Sequence, residues 1–143
     1  MKLRLNREFA IRHLGVALLM AGLSGWFGYD GYIGYPSHDD AWFETRHLKR
    51  ASATERQKEF MMLALIAALI IGGHVWALAK FNFEFDDEGF TFGGRRFAYS
   101  DIKKVDRSKW EKKDIIWVDG IKLDAWHHTG VVDFEKKLTE KGR

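Results

Sequence analysis

Residues 60–79 read FMMLALIAALIIGGHVWALA, twenty positions without a formal charge, bracketed by Glu59 and Lys80. A helix of that length covers about 30 Å, the thickness of a bilayer's hydrocarbon core. A buried helix of a soluble protein would need a large surrounding domain, and the whole chain has 143 residues. The segment is therefore expected to be a transmembrane helix over about 60–80, and the rest of the chain is organised around it.

Upstream, residues 14–29, LGVALLMAGLSGWFGY, form a second uncharged run of sixteen. Alone it covers only about 24 Å, but Phe9, Ala10 and Ile11 extend it and Arg12 can snorkel, giving a span over about 9–29. Trp26, Phe27, Tyr29, Tyr32 and Tyr35 cluster at its far end like an interfacial aromatic belt. A cleavable signal peptide would share the basic start at Lys2, Arg4 and Arg7, but no small-x-small cleavage site follows the apolar run, so a retained span is expected.

The averages conceal this layout. The chain is 46% hydrophobic and 30% charged with net charge +3. All of that charge lies in residues 1–13, 30–59 and 80–143. The absence of cysteine excludes disulfides, thiolate metal sites and cysteine nucleophiles. Basic residues flank both spans on the terminal sides. The expectation is therefore a multi-pass membrane protein with both termini cytoplasmic and the loop outward.

Loop 30–59 opens with Gly31, Gly34 and the only proline, Pro36, which is turn chemistry. Ser37 or Asp39 is expected to cap a short interfacial helix through Ala41, Trp42, Phe43 and Leu48. Ser52 and Glu55 have capping-box spacing, which predicts that the second helix starts near Ala53.

Beyond residue 80 the period changes to two. Phe81, Phe83 and Phe85 alternate with polar residues, and Phe90 and Phe92 resume the pattern after an acidic turn that ends at Gly89. A third strand is expected from Arg96 to Tyr99, then a helical turn capped by Ser100 through Ile102 and Val105. Asp119-Gly120, between Ile115–Val118 and Ile121 to Leu123, predicts a two-residue type I′ hairpin. Thr129 or Gly130 should start a final helix whose Val131, Phe134 and Leu138 make one apolar stripe. The expected class is an α+β membrane protein: a helical membrane hairpin in 1–80 and a small antiparallel β-domain with a C-terminal helix in 81–143.

With its pair of spans, the stretch FEFDDEGFTFGGRRFAYSDIKKVDRSKW, residues 83–110, resembles the bacterial PH-like membrane domains. The likeness covers residues 60 to about 123. It rests on the helix pair, the acidic turn with its glycine, and the I-x-x-V step Ile102-Lys103-Lys104-Val105. It implies a cytoplasmic β-domain, trimmed because about sixty residues are too few for the full barrel, and a scaffolding or assembly role. It carries over no catalytic residue.

Small residues in both spans, Gly22, Gly25, Ala64, Ala68, Gly72 and Gly73, would let helices approach closely. His74 is the ionisable residue well inside the second span; with Gly72 and Gly73 beside it, it could ligate a haem or bacteriochlorophyll, although a packing role needs no cofactor. His127 and His128 are adjacent, so strand geometry would send them to opposite faces, poor for a metal. Asp86, Asp87 and Glu88 lack the alternating ligand spacing of a calcium loop. Lys103, Lys104, Arg107, Lys109, Lys112 and Lys113 surround Trp110 and could touch anionic lipid. No phosphate-binding glycine loop, nucleophile elbow or HExxH helix occurs. The expected function is a non-enzymatic accessory, scaffold or assembly subunit, without a cofactor. Its partners would be membrane lipids and other integral membrane proteins or further copies of itself, not nucleic acid. The alternative is a cofactor-bearing subunit of an electron-transfer or light-harvesting complex with His74 as axial ligand.

Overall fold

The computed structural model describes residues 1–143, which divide into two compact units: Ile11–Val75, and Met1–Ala10 together with Trp76–Arg143. The expected division at residue 80 is drawn by sequence, whereas these units are drawn by contact. The first ten residues belong with the β-rich part, because their backbone supplies strand partners to it.

Helix α1 (Arg7–Tyr29) starts at Asn6, whose side-chain oxygen accepts the Glu8 backbone N–H at 3.0 Å. It does not stop at the glycines. The chain continues as a π-helical segment, Asp30–Gly34, and a 3₁₀ turn, Tyr35–Ser37. A turn was expected here from Gly31 and Gly34. Gly31 instead serves close packing: a Cβ there would lie 3.2 Å from the Lys58 backbone nitrogen. Helix α2 (Asp40–Thr45) is capped by Asp39, which accepts the Trp42 N–H at 2.9 Å. Leu48 lies beyond it, after His47 takes a left-handed φ of 54°.

Helix α3 (Arg50–Ala79) begins three residues before Ala53. Ser52 and Glu55 do not form the expected capping box. The Ser52 hydroxyl donates back to the Lys49 carbonyl at 3.1 Å, as a serine already inside a helix does, and Glu55 pairs with Lys58 at 2.9 Å. The helical stretches Arg7–Ser37 and Arg50–Ala79 are both long and apolar enough to cross a membrane by length and composition.

In the other unit, β2 (Phe83–Phe85), β3 (Gly89–Phe92) and β4 (Arg95–Ala98) form one antiparallel sheet. The sheet β5 (Val105–Lys109), β6 (Ile115–Val118) and β7 (Ile121–Asp124) forms another. The helical turn expected through Ile102 and Val105 is only Tyr99–Asp101, in 3₁₀ form. The Asp119 carboxylate accepts the backbone N–H groups of Lys103 and Lys104, at 3.1 and 2.8 Å, so the chain there runs extended into β5. The hairpin at Asp119-Gly120 is as expected: φ is 47° and 86°, both positive as type I′ requires. A short helix, α4 (Trp110–Lys113), links β5 to β6.

The N-terminal segment closes this unit. Lys2 bridges Glu84, and Leu3 donates its N–H to the Phe83 carbonyl at 2.9 Å. Then β1 (Arg4–Leu5) pairs with β8 (His128–Thr129). Helix α5 (Val131–Glu140) covers the sheets with its expected stripe, Val131, Phe134 and Leu138, all fully buried. Phe134 is the hub, with ring centroids of Phe83, Phe85 and Phe90 at 4.9, 5.2 and 5.7 Å. Leu3, Ile116, Val118 and Leu123 complete one core drawn from both sheets, the N-terminal segment and α5. Gly89 is needed for proximity: a Cβ there would fall 2.0 Å from the Phe97 carbonyl oxygen.

Candidate functional site

In the helical unit the less exposed positions recur at alternating steps of four and three: Ala17, Met20, Ser24, Phe27 and Gly31, and on α3 Gln57, Met61, Ala64, Ala68, Ile71 and Val75. That spacing makes a coiled-coil-like seam. Ser24 donates to the Met61 carbonyl at 3.0 Å, and the rings of Phe27 and Phe60 lie 5.4 Å apart. A Cβ on Gly28 would touch the Met61 sulfur at 3.1 Å.

The expected small-residue set therefore divides. Ala64 is buried and Ala68 half-buried. Gly22, Gly25 and Gly73 are exposed, and Gly72 is half-buried; a Cβ on any of the four would meet nothing within 4 Å. The reason is angular: at about 100° per residue, Gly22 and Gly25 point well away from the face that carries Ser24. The seam uses Ser24, Gly28 and Gly31 instead. Outside it the apolar side chains stand open, with Leu18 at 73%, Leu69 at 66% and Ile70 at 66% exposure. His74 is also on the exposed part of α3.

The acidic turn of the β-unit is structural. Asp86 accepts the backbone N–H groups of Glu88 and Gly89, at 2.9 and 3.1 Å, and the Arg96 guanidinium at 2.6 Å. The Arg96 hydrogen bond, with that of the Glu88 N–H, holds the Asp86 carboxyl well below the usual carboxylate range. Asp87 pairs with Lys137 of α5, and its pKa is lowered by that hydrogen bond. Tyr99 donates to the Asp86 carbonyl at 2.8 Å, and burial pushes its phenol up to about 12.

The basic run separates into parts. Arg107 is committed to α5: its Nε donates to Glu135 at 3.1 Å. Lys103 and Lys104 are exposed beside the Asp119-Gly120 tip and line a cleft of about 250 Å³ with Arg107 and Arg143. Lys109, Lys112 and Lys113 are exposed at the other end of β6, on and beside α4.

The turn of residues 124–128, which carries the adjacent histidines, engages the residue before α1 and the last turn of α3. Asp124 caps it by accepting the Trp126 N–H at 3.0 Å, and its other oxygen stands 3.5 Å from His127 Nδ1. Asn6, just before α1, donates to the His127 carbonyl at 2.7 Å, and the Phe9 ring lies 4.8 Å from the His127 ring. His128 is buried, with Nε2 at 3.1 Å from the Leu78 carbonyl in the last turn of α3. The two histidines are perpendicular and 6.4 Å apart, each engaged with a different helix end.

Compared with protein-family models, with curated proteins and with solved structures, the chain matches none of them.

Proposed function

We propose that this chain is a two-span membrane protein that acts, without catalysing a reaction, as an accessory, scaffold or assembly subunit of a larger membrane complex. The observation that carries the reading is the open apolar surface of α1 and α3. Side chains such as Leu18, Leu69 and Ile70 would be costly in water and are at home in lipid. The glycines outside the seam, Gly22, Gly25 and Gly73, support the partner half of the proposal. They leave backbone open to a further helix, from another integral membrane protein or from a second copy.

Residues 1–10 pack with residues 76–143, which supports termini on one side of the membrane. The basic flanks favour the cytoplasmic side of a bacterial inner membrane. The β-unit would be a trimmed PH-like module. The test is purification in mild detergent followed by native gel and identification of what co-migrates. A stoichiometric membrane-protein partner or a defined homo-oligomer is expected. A chain that runs only as a monomer under every mild condition overturns the subunit reading.

A second reading makes His74 an axial ligand for a haem or bacteriochlorophyll. In its favour, the open backbone at Gly72 and Gly73 gives a flat macrocycle room beside the ring. A stoichiometric Soret or bacteriochlorophyll band in the purified chain is its expected signature, and a colourless preparation from the native membrane removes it.

A further inference from the structure

We propose that the β-unit binds the phosphate group of a small phosphomonoester in the cleft between the β4–β5 connection and the end of α5. Lys103, Lys104, Arg107 and Arg143 are its cationic contacts. The site lies wholly within the β-unit, so it requires nothing of the helical unit and goes beyond the subunit reading.

The fold holds two of the cations in place. Helix α5 ends in a turn in which Gly142, at φ 71°, donates its N–H to the Thr139 carbonyl at 3.0 Å, and Arg143 donates its main-chain N–H to the Leu138 carbonyl at 2.9 Å. This glycine-ended stop satisfies the last carbonyls of the helix and sets the direction of the next residue. It brings Arg143 to the β4–β5 connection, where its guanidinium donates to the Ser100 carbonyl at 2.9 Å. Arg107 is fixed from β5: Nε donates to Glu135 at 3.1 Å, and Nη2 donates to the Thr139 hydroxyl at 3.4 Å and to the Arg143 main-chain oxygen. A guanidinium has more N–H donors than these bonds use, so both arginines retain donors for a ligand.

Lys103 and Lys104 supply the remaining charge. Their backbone N–H groups are taken by the Asp119 carboxylate, at 3.1 and 2.8 Å, which fixes the main chain while both side chains stay exposed. Ile102, Val105 and Gly142 complete the lining, which contains no acidic side chain. The nearby acids are committed elsewhere: Glu135 to Arg107, and Asp119 to main chain. The end of α5 adds roughly half a negative charge, against four cations. A phosphate monoester offers three terminal oxygens to two forked guanidinium groups and two ammonium groups, where a carboxylate offers two. At about 250 Å³ the cleft is smaller than the roughly 300–1,000 Å³ pockets that take drug-sized molecules. It has room for a phosphate and a few attached carbons, not for a nucleotide. A free ester and a lipid headgroup that ends in a phosphate monoester share this chemistry.

The test titrates glycerol 3-phosphate into the full chain in neutral detergent by calorimetry, with acetate at equal ionic strength as the comparison. Saturable binding at one site is expected, about tenfold or more tighter than acetate. Replacing Lys103→Gln and Lys104→Gln together should weaken it by about tenfold or more, since each change removes a hydrogen bond to a charged group. Replacing Lys112→Gln and Lys113→Gln together removes the same charge at the other end of β6 and should leave binding nearly unchanged. All four lysines are exposed, so circular dichroism of both variants should match the parent. Doping the micelles with phosphatidate separates the two sources. Displacement of glycerol 3-phosphate assigns the cleft to a lipid headgroup, undiminished binding assigns it to a free ester, and either result supports the proposal. No saturable binding, acetate binding as tight, or equal weakening by the two lysine pairs overturns it.

Discussion

The imidazole of His128 reaches the carbonyl of Leu78, Nε2 to oxygen 3.1 Å, across fifty positions of sequence. A carbonyl can only accept, so Nε2 carries the proton, and a side chain of the β-unit caps the end of α3. Replacing it, His128→Ala, removes this donor and opens a hole beside Phe81, whose ring centroid is 4.8 Å away. A loss of about 1–3 kcal/mol in the unfolding free energy of the β-unit is expected. The apolar helices should still insert. Denaturant titration followed by near-ultraviolet dichroism, beside a membrane-extraction assay, measures the two separately.

The helix seam predicts that glycines in similar sequence settings respond differently. Gly31→Val would drive a branched side chain against the Lys58 backbone nitrogen, 3.2 Å from the Cβ position, and should destabilise the helix pair by about 1–3 kcal/mol. A Cβ at Gly22 would meet nothing within 4 Å, so Gly22→Leu should leave monomer stability unchanged while weakening any complex that uses that face. Thermal unfolding of detergent-solubilised monomer distinguishes them, and equal loss in both variants would contradict the seam.

In the β-unit, Gly89→Ala should be among the most damaging single-methyl additions. The new carbon would fall within 2.0 Å of the Phe97 carbonyl oxygen, a backbone atom held by the β3–β4 ladder. A loss of about 3 kcal/mol is expected. Gly120→Val faces open space but must hold a branched residue at φ 86°, so its cost of about 1–3 kcal/mol comes from the backbone. Amide exchange separates the two: Gly120→Val should first loosen β6 and β7, and Gly89→Ala should first loosen β3 and β4.

Acid should weaken the acidic turn in a way that depends on Arg96. The folded-state pKa of Asp86 is depressed below its unfolded value, chiefly by the Arg96 hydrogen bond. Its contribution is therefore complete above the unfolded carboxylate value of 3.8 and is lost as pH falls below that toward the folded pKa. Arg96→Met should flatten this part of the stability profile and leave the neutral-pH fold intact. An unchanged acid profile in the variant would show that the backbone N–H groups alone hold the carboxylate.

What was readable in the sequence is what depends on neighbours in the chain. Asp119-Gly120 announces its turn because two adjacent residues must take positive φ, and Val131, Phe134 and Leu138 announce a buried face because helical spacing brings them together. The N-terminal strand was not readable. Arg4 and Leu5 are two residues beside a basic tail, and the fact that makes them a strand is His128-Thr129, far along the chain. VDRSK of β5 has no alternation to find, and its extended form comes from pairing with β6. The glycines of the spans show that close approach is allowed without saying which face is used, and Ser24, which does mark that face, looks like any small polar residue until its hydroxyl finds the Met61 carbonyl.

The pairing of β1 with β8 also sets an order of events during synthesis. Residues 4 and 5 leave the ribosome well before their partners, residues 128 and 129, which come after both long helices. At usual elongation rates that interval is on the order of ten seconds. For that time the N-terminal segment has no sheet to join, and Leu3, which ends fully inside the core, stays outside it. The β-unit is therefore a late-closing clasp: Leu3 and β1 reach their places only once residues 128 and 129 have appeared.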